Sequence, residues 1–165
     1  MSHQKSKGKE AYNQEMAAAV EAVLKECEIE YTFDRESGIF EFRMGCKGVL
    51  KQVRCYLVVK KICCSMVGIV FGVDKENERD MREMGELLHR INMRLNNMFF
   101  CLDYDKGAVL CKSFVMAKDE IAFGDMVQSS LAYMVHIVEA CGGAIGAIAL
   151  GLKGRDAYDL CEGKL

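Results

Sequence analysis

The chain has no proline and no tryptophan among its 165 residues. Proline is a frequent marker of loops, so glycine, asparagine and aspartate are left to mark the turns. The net charge is also small, because 22 basic side chains stand against 24 acidic ones and leave a formal charge of -2. Such a chain has no long-range attraction for nucleic acid or for an anionic membrane, and we expect it to bind no nucleic acid.

The length and composition predict one folded domain. At 165 residues and 51% hydrophobic, the chain can bury one substantial core but is short for two. The polar, lysine-rich residues 1–10 are predicted to form a flexible leader, and the charged residues 153–165 an exposed C-terminal tail. The single domain is therefore expected to span residues 11–152.

Metal-binding and catalytic patterns are missing, although the chain has nine cysteines and three histidines. No Cys-x-x-Cys or His-x-x-x-His spacing occurs, and Cys63 and Cys64 would point to opposite faces of a strand. The N-terminus also lacks the pattern of a signal peptide, which favours a reducing cytoplasm over a secreted, disulfide-bonded protein. We therefore expect a cytoplasmic protein that is not an enzyme and has no cofactor or metal.

The hydrophobic period changes several times along the chain and predicts an α+β domain. Apolar residues recur every three or four positions in three segments, which is typical of amphipathic helices. Elsewhere they alternate, or continue on both faces, as in strands. Sequential hairpins favour an antiparallel sheet of about six strands with three main helices collected on one face, in the order α-ββββ-α-ββ-α. The predicted elements are helix 11–28, strands 29–34, 39–44, 49–59 and 62–73, helix 74–95 capped by Asp74, strands 98–104 and 108–116, and helix 119–141 ended by Gly142 and Gly143.

The longest apolar run, residues 131–152, is long enough to cross a bilayer. It contains His136 and Glu139, however, and its second half is rich in glycine. We interpret this run as a buried helix followed by a short glycine- and alanine-rich turn, and we predict no membrane insertion.

A pattern of polar and aromatic residues joins the middle helix to the hairpin that follows it. Its members are Ile91-Asn92 and Leu95 near the end of the helix, and Phe99-Phe100, Asp103, Gly107, Val109 and Lys112 across the hairpin. Together with the element order, this pattern resembles the YbjN family of small bacterial proteins over residues 11–141. The family has a fold similar to that of type III secretion chaperones. The resemblance implies a non-enzymatic, cytoplasmic module that can dimerise, with a regulatory or chaperone-like role and no agreed catalytic residues.

Two strongly apolar segments predict an interaction function. The strand at residues 62–73 is apolar on both faces, so it lies centrally in the sheet or is covered by a partner, and the helix around residues 127–138 is also apolar. We predict a protein-interaction module, a chaperone-like protein or regulatory adaptor, that forms a homodimer and binds a polypeptide partner. The residues expected at its interface are Tyr56, Val58, Met66, Ile69, Phe71, Leu131, Met134 and Val138.

A second hypothesis belongs to a different functional class. The protein would be a small-molecule or thiol-based sensor with a pocket between the sheet and the last helix. Cys111, Cys141 and His136 are the residues predicted near that pocket. A sensing thiol needs both access to its reagent and a substantial thiolate fraction, so its burial and its pKa test this hypothesis.

Overall fold

The computed structural model of the protein describes residues 12–116 and 120–165. The predicted leader, residues 1–10, lies outside the described residues, as does the predicted first residue of the third helix, Asp119. The described residues confirm the α+β class and the predicted order of elements, with one further helix near the C-terminus. The elements are α1 Gln14–Glu26, β1 Tyr31–Asp34, β2 Ile39–Gly45, β3 Gln52–Val59, β4 Cys63–Gly72, α2 Glu78–Asn92, β5 Met98–Asp103, β6 Ala108–Met116, α3 Glu120–Ala149 and α4 Gly154–Asp159, followed by a 3₁₀ turn at Glu162–Lys164.

The six strands form one antiparallel sheet in the order β1-β2-β3-β4-β6-β5. The first four strands are successive hairpins, because each pairs with the strand before it. After β4 the chain passes through α2, and β6 then pairs with β4 while β5 becomes an edge strand. Strand β4, which the sequence shows to be apolar on both faces, is therefore central in the sheet. A central position was one of the two predicted explanations for its apolar character.

One face of the sheet carries the core. In β3, β4 and β6 every second residue is buried over most of the strand, which reflects the two-residue repeat of strand side chains. These residues and the apolar stripes of α1, α2 and α3 form one hydrophobic cluster. Phe40, Met66 and Met134 are among its largest fully buried side chains. Each such side chain stabilises the fold by about 1.5–3 kcal/mol relative to its exposed state.

Gly107 lies in the turn between β5 and β6 and connects this turn to the end of β4. Its φ is +63°, and its carbonyl accepts the Val73 N–H at 2.6 Å. A Cβ atom at this position would lie 2.1 Å from the Val73 carbonyl oxygen. Both the backbone conformation and the lack of space therefore require glycine here.

Asn92, at the end of α2, closes part of the β5 edge. Its side chain donates from Nδ2 to the Phe100 carbonyl at 2.8 Å and accepts the Phe100 N–H at 2.7 Å. One side chain thus occupies both backbone hydrogen-bonding groups of Phe100, as a neighbouring strand would. An edge occupied in this way offers fewer groups to a strand of another molecule.

The third long helix is longer than predicted. The sequence predicts that Gly142 and Gly143 end it, but α3 continues through both. A Cβ atom on Gly142 would lie 3.2 Å from Leu50 Cγ in the β2–β3 loop, and one on Gly146 would lie 3.2 Å from Val49 Cγ1. Gly142 and Gly146 therefore allow close packing of the helix against this loop, and the tertiary contacts outweigh the low helix propensity of glycine.

The C-terminal segment also differs from the prediction. Residues 153–165, expected to form an exposed tail, fold into α4 and the 3₁₀ turn and pack against α2. The Glu83 carboxylate accepts the Gly154 N–H at 2.9 Å, and Ala157 and Cys161 are fully buried. A Cβ atom on Gly154 would lie 2.5 Å from the Glu83 carbonyl oxygen. The charges of this segment suggested exposure, whereas its small residues permit close contact.

Helix α2 begins later than predicted. The sequence assigns its N-cap to Asp74, but the Asn77 side chain accepts the Asp80 N–H at 3.1 Å and caps the helix. Asp74 instead accepts the Glu76 N–H in the preceding turn. Asparagine and aspartate are both favourable caps, so their residue types alone did not distinguish the two positions.

Candidate functional site: the open face of the sheet

The sheet face opposite the helices is open to solvent in the part of the chain that the structure describes. Phe114 on this face is 63% exposed, Phe99 45% and Ile69 37%. The residues that alternate with the buried core residues form this surface. We call it the open face, and its members are Thr32 and Asp34 of β1, Ile39, Glu41 and Arg43 of β2, Arg54, Tyr56 and Val58 of β3, Cys63, Ser65, Val67 and Ile69 of β4, Leu110, Lys112, Phe114 and Met116 of β6, and Phe99 and Cys101 of β5.

The strand register arranges the open face in rows that run across the strands. The first row consists of Asp34, Ile39, Val58, Ser65 and Phe114. The second consists of Thr32, Glu41, Tyr56, Val67, Lys112 and Phe99, and the third of Arg43, Arg54, Ile69, Leu110 and Cys101. Aliphatic and aromatic side chains are present in all three rows, so the open face is a contiguous and largely apolar surface.

The charges of the open face lie on both sides of its apolar middle. On one side, Arg54 Nε donates to Glu41 Oε1 at 2.8 Å, and this contact raises the pKa of Arg54. The Arg54 guanidinium also lies 5.4 Å from the centroid of the Tyr56 ring. On the other side, Lys112 has no carboxylate within 4.0 Å among the described residues.

The structure brings three of the eight predicted interface residues together on this surface. Tyr56, Val58 and Ile69 lie in neighbouring positions of β3 and β4. Phe71 is not with them, because the register of β4 shifts between Ile69 and Phe71. Beyond this bulge Phe71 is half-buried and packs against the core cluster.

The remaining four predicted interface residues lie in the core. Met66, Leu131, Met134 and Val138 are all at most 4% exposed. Met66 faces the helices because it alternates with the outward-facing Val67, and the apolar stripe of α3 packs on the sheet of its own chain. These residues reach no partner while the chain is folded, so the candidate interface is corrected to the open face.

Sequence reasoning missed three apolar residues of the same surface, of which Phe99 and Phe114 are exposed and Leu110 is half-buried. Phe99, Leu110 and Phe114 lie on the open face, where they alternate with buried residues of β5 and β6. The signal was present, because β6 is apolar on both faces just as β4 is. The same criterion applied to the hairpin would have identified them.

The thiols differ between the two faces. Burial raises the pKa of Cys55 and of Cys64 to about 12, and it raises the pKa of Cys111 as well. These three thiols therefore remain protonated near neutral pH and are poor nucleophiles. Cys63 and Cys101, on the open face, are partly exposed.

A groove of about 910 Å³ lies between α3 and the end of the sheet at β1 and β2. Ile29, Leu131 and Val135 contribute to its apolar wall, while Glu28 and Glu30 supply carboxylates to its lining. Its volume is in the range of small-molecule sites. A groove between the sheet and the last long helix is therefore present.

The residues predicted for a sensor do not line this groove. Cys111 and Cys141 are fully buried in the core, and His136 is exposed on α3 outside the groove lining. The thiol that does line the groove belongs to Cys27, an exposed residue directly after α1. Cys27 accepts a long hydrogen bond of 3.8 Å from Gln128 Nε2.

Within the described residues, no group of three or more His, Cys, Asp or Glu side chains is arranged to hold a metal ion. By length and composition, one described helix could cross a membrane, namely α3 over Ala122–Ala149. Its most apolar window is 61% buried inside the fold, which is the position of a core helix.

Comparison of the chain with protein-family models, with curated proteins and with solved structures found no match.

Proposed function

We propose that the protein is a non-enzymatic, cytoplasmic interaction module that associates with a second copy of itself through the open face. As a homodimer it would bind a polypeptide partner in a chaperone-like or regulatory role, as the resemblance to the YbjN family implies. The observation that carries the proposal is the contiguous apolar surface of the open face, with Phe114 63% exposed and Phe99 45% exposed.

The cost of leaving this surface in water supports the proposal. Monomeric soluble proteins rarely expose large contiguous apolar patches, and such patches are typical of interaction sites. The open face is moreover formed by strands rather than by loops, so the backbone that carries its side chains is held in place by the ladder hydrogen bonds. A rigid surface loses little conformational entropy when a partner covers it.

The experiment that tests the proposal is sedimentation equilibrium of the purified, reduced protein over a series of concentrations. We expect a monomer–dimer equilibrium, and we expect Phe114→Lys to shift it to monomer because the substitution places a charge in the apolar surface. Met93→Lys is the matched control, since Met93 is 74% exposed at the end of α2, away from the open face. The control should sediment like the wild type.

Capture experiments from the source lysate then address the polypeptide partner. Wild-type, Phe114→Lys and Met93→Lys baits are compared, and the proposal expects at least one polypeptide at stoichiometric amounts with the wild type and the Met93→Lys control. A protein that remains monomeric at every concentration, and whose captured proteins are unchanged by Phe114→Lys, would contradict the proposal.

The groove beside α3 supports a second candidate function, that of a small-molecule sensor. Glu28, Glu30 and Glu41 give its lining three carboxylates against one guanidinium, that of Arg43, so the expected ligand is amphipathic and carries a cationic group. Ala132→Trp would fill the groove, because Ala132 lines it and is exposed. A thermal-shift screen of cationic amphipathic compounds should give hits that the Ala132→Trp variant loses, and a screen without such hits would exclude this function.

A further inference from the structure

The charges of the open face distinguish between the ways in which two copies can meet. We infer that the two copies stack open face on open face about a two-fold axis that is parallel to the strands and lies between β3 and β4, so that Glu41 of each copy meets Lys112 of the other. The inference rests on the proposed self-association and specifies its geometry.

The strand order defines the positions that such an axis relates. Along the second row, Glu41 on β2, Tyr56 on β3, Val67 on β4 and Lys112 on β6 are neighbours in turn. Rotation about an axis between β3 and β4 places β2 of one copy over β6 of the other, and β3 over β4. Two rows of the same sequence then meet in opposite directions, and each Glu41 lies across from a Lys112.

The same rotation also relates the apolar residues favourably. Tyr56 meets Val67 of the second copy, and Val58 meets Ser65 of the second copy, so a larger side chain lies across from a smaller one in both cases. Ile39 meets the exposed ring of Phe114 of the second copy. These contacts are self-complementary, as an isologous interface requires. Two twisted sheets pack with their strands about 30° apart, so the match is closest near the axis.

The alternative axis is disfavoured by charge. A two-fold axis perpendicular to the strands, running along the second row, would place Glu41 over Glu41 and Lys112 over Lys112. Both contacts bring like charges together in a surface that is losing its water, and such juxtapositions are unfavourable. The axis parallel to the strands replaces these two repulsions by two attractions. Complementary charge therefore selects the orientation.

The size of the open face is sufficient for a specific but weak dimer. With strands about 4.8 Å apart and same-face residues about 6.7 Å apart, three rows across β2, β3, β4 and β6, together with the second-row positions of β1 and β5 that overlie each other, cover roughly 500 Å² per copy. Two copies would bury about 1,000 Å², near the lower limit for specific protein–protein interfaces. We therefore expect a reversible dimer whose population depends on concentration.

A charge-swap experiment tests the arrangement. Glu41→Lys, Lys112→Glu and the double variant are compared with the wild type by sedimentation equilibrium, and folding is checked by circular dichroism. Each single variant should raise the dimer dissociation constant about tenfold or more, because two contacts per dimer become repulsive. The double variant should return to within about threefold of the wild type, because opposite charges face each other again.

The controls separate this arrangement from general effects of charge. Glu36→Lys and Lys75→Glu change the net charge by the same amounts at exposed positions away from the open face, and neither should change the dimer. Glu41→Lys also breaks the contact with Arg54 within its own chain. The double variant lacks that contact too, so its recovery cannot come from the Arg54 pair.

The outcomes distinguish this inference from the proposed function. If Phe114→Lys dissociates the dimer but the double variant remains as weak as the singles, self-association through the open face stands and the two-fold arrangement is wrong. If the wild type is monomeric throughout, both fail. The arrangement is supported only if both single variants weaken the dimer and the double variant restores the dissociation constant.

Discussion

The two faces of the sheet belong to the same strands but differ in whether helices of the chain cover them. Met66 and Val67 are neighbours on β4, yet Met66 is 1% exposed beneath the helices, whereas Val67 lies on the open face. Both faces are rich in apolar residues. The helices of the chain cover one of them, and the described part of the chain leaves the other to solvent.

The apolar content of the sheet therefore exceeds what the fold itself buries. On the covered face, the side chains contribute to the free energy of folding. On the open face, comparable side chains are only partly buried, and the rest of their apolar area contributes when another surface covers it. The open face also carries the Arg54–Glu41 ion pair and Lys112, which interrupt its apolar surface and restrict the ways in which it can be covered.

The largest effect is expected from placing the same charge on each face in turn. Met66→Lys buries a charge in the core and should unfold the protein or destabilise it by about 3–5 kcal/mol. Val67→Lys places that charge on the open face and should change the free energy of unfolding by less than about 1 kcal/mol. Urea unfolding followed by circular dichroism measures both.

The pair of variants also separates stability from association. Val67→Lys should remain folded and lose self-association, while Ser65→Thr, a milder change on the same face, should keep both. Equal destabilisation by Met66→Lys and Val67→Lys would contradict the division into a covered and an open face.

An intermediate effect is expected at the β5 edge, where Asn92 occupies the backbone groups of Phe100. Asn92→Ala leaves a partly buried N–H and carbonyl without these partners and should destabilise the protein by about 1–3 kcal/mol. The exposed residue Asn97 provides the control variant Asn97→Ala, which should have little effect. Chemical denaturation of the two variants at low protein concentration checks the difference.

The same substitution distinguishes association through the open face from association through the β5 edge. If the open face is the route of association, Asn92→Ala should change stability without changing the dimer dissociation constant. Formation of larger assemblies by Asn92→Ala would indicate that the edge, once released, competes with the face.

A smaller effect is expected from acid at the C-terminal segment. The Gly154 N–H, followed by Arg82, holds the pKa of Glu83 below its ordinary value of 4.5. A depressed pKa in the folded state stabilises the fold above the unfolded-state pKa, and this stabilisation is lost as the pH falls through the folded-state value. The contact of α4 with α2 should therefore weaken in acid.

Thermal unfolding from pH 7 to pH 3 tests this expectation. Glu83→Gln removes the titrating group, so the wild type should lose more stability than the variant below about pH 4.5. Parallel pH profiles of the two proteins would show that the Glu83 contact does not contribute. Association through the open face should be unaffected by Glu83→Gln at neutral pH.

The sequence predicted the fold more completely than the site. The two-residue and 3.6-residue hydrophobic repeats located the six described strands and the three main helices. Burial of one face makes apolar residues recur along the sequence with the period of the strand or helix. The failures occurred where tertiary contacts override local preference. Gly142, which is in α3, packs against Leu50, and Gly154 packs against α2. Neither contact can be recognised from the neighbouring residues in the sequence.

The candidate site could be predicted only in part for a similar reason. An apolar pattern in a strand indicates which residues avoid water. It does not indicate whether the same chain or a partner buries them. Tyr56, Val58 and Ile69 lie together on the open face, while Met134 and Val138 have an equally apolar sequence pattern and lie in the core. Only the three-dimensional position of the helices separates the two groups.

Thiol alkylation at the centre of the open face measures whether a second copy of the protein covers this surface. Ser65→Cys introduces a nearly isosteric thiol beside Val58 and Phe114, and mass spectrometry compares its alkylation rate with that of the exposed Cys27 in the same molecule. We predict that concentrating the protein slows alkylation at position 65 several-fold while the rate at Cys27 is unchanged. If the alkylation rate at each position is the same in dilute and in concentrated solution, the open face stays in water. That result would contradict self-association through the open face.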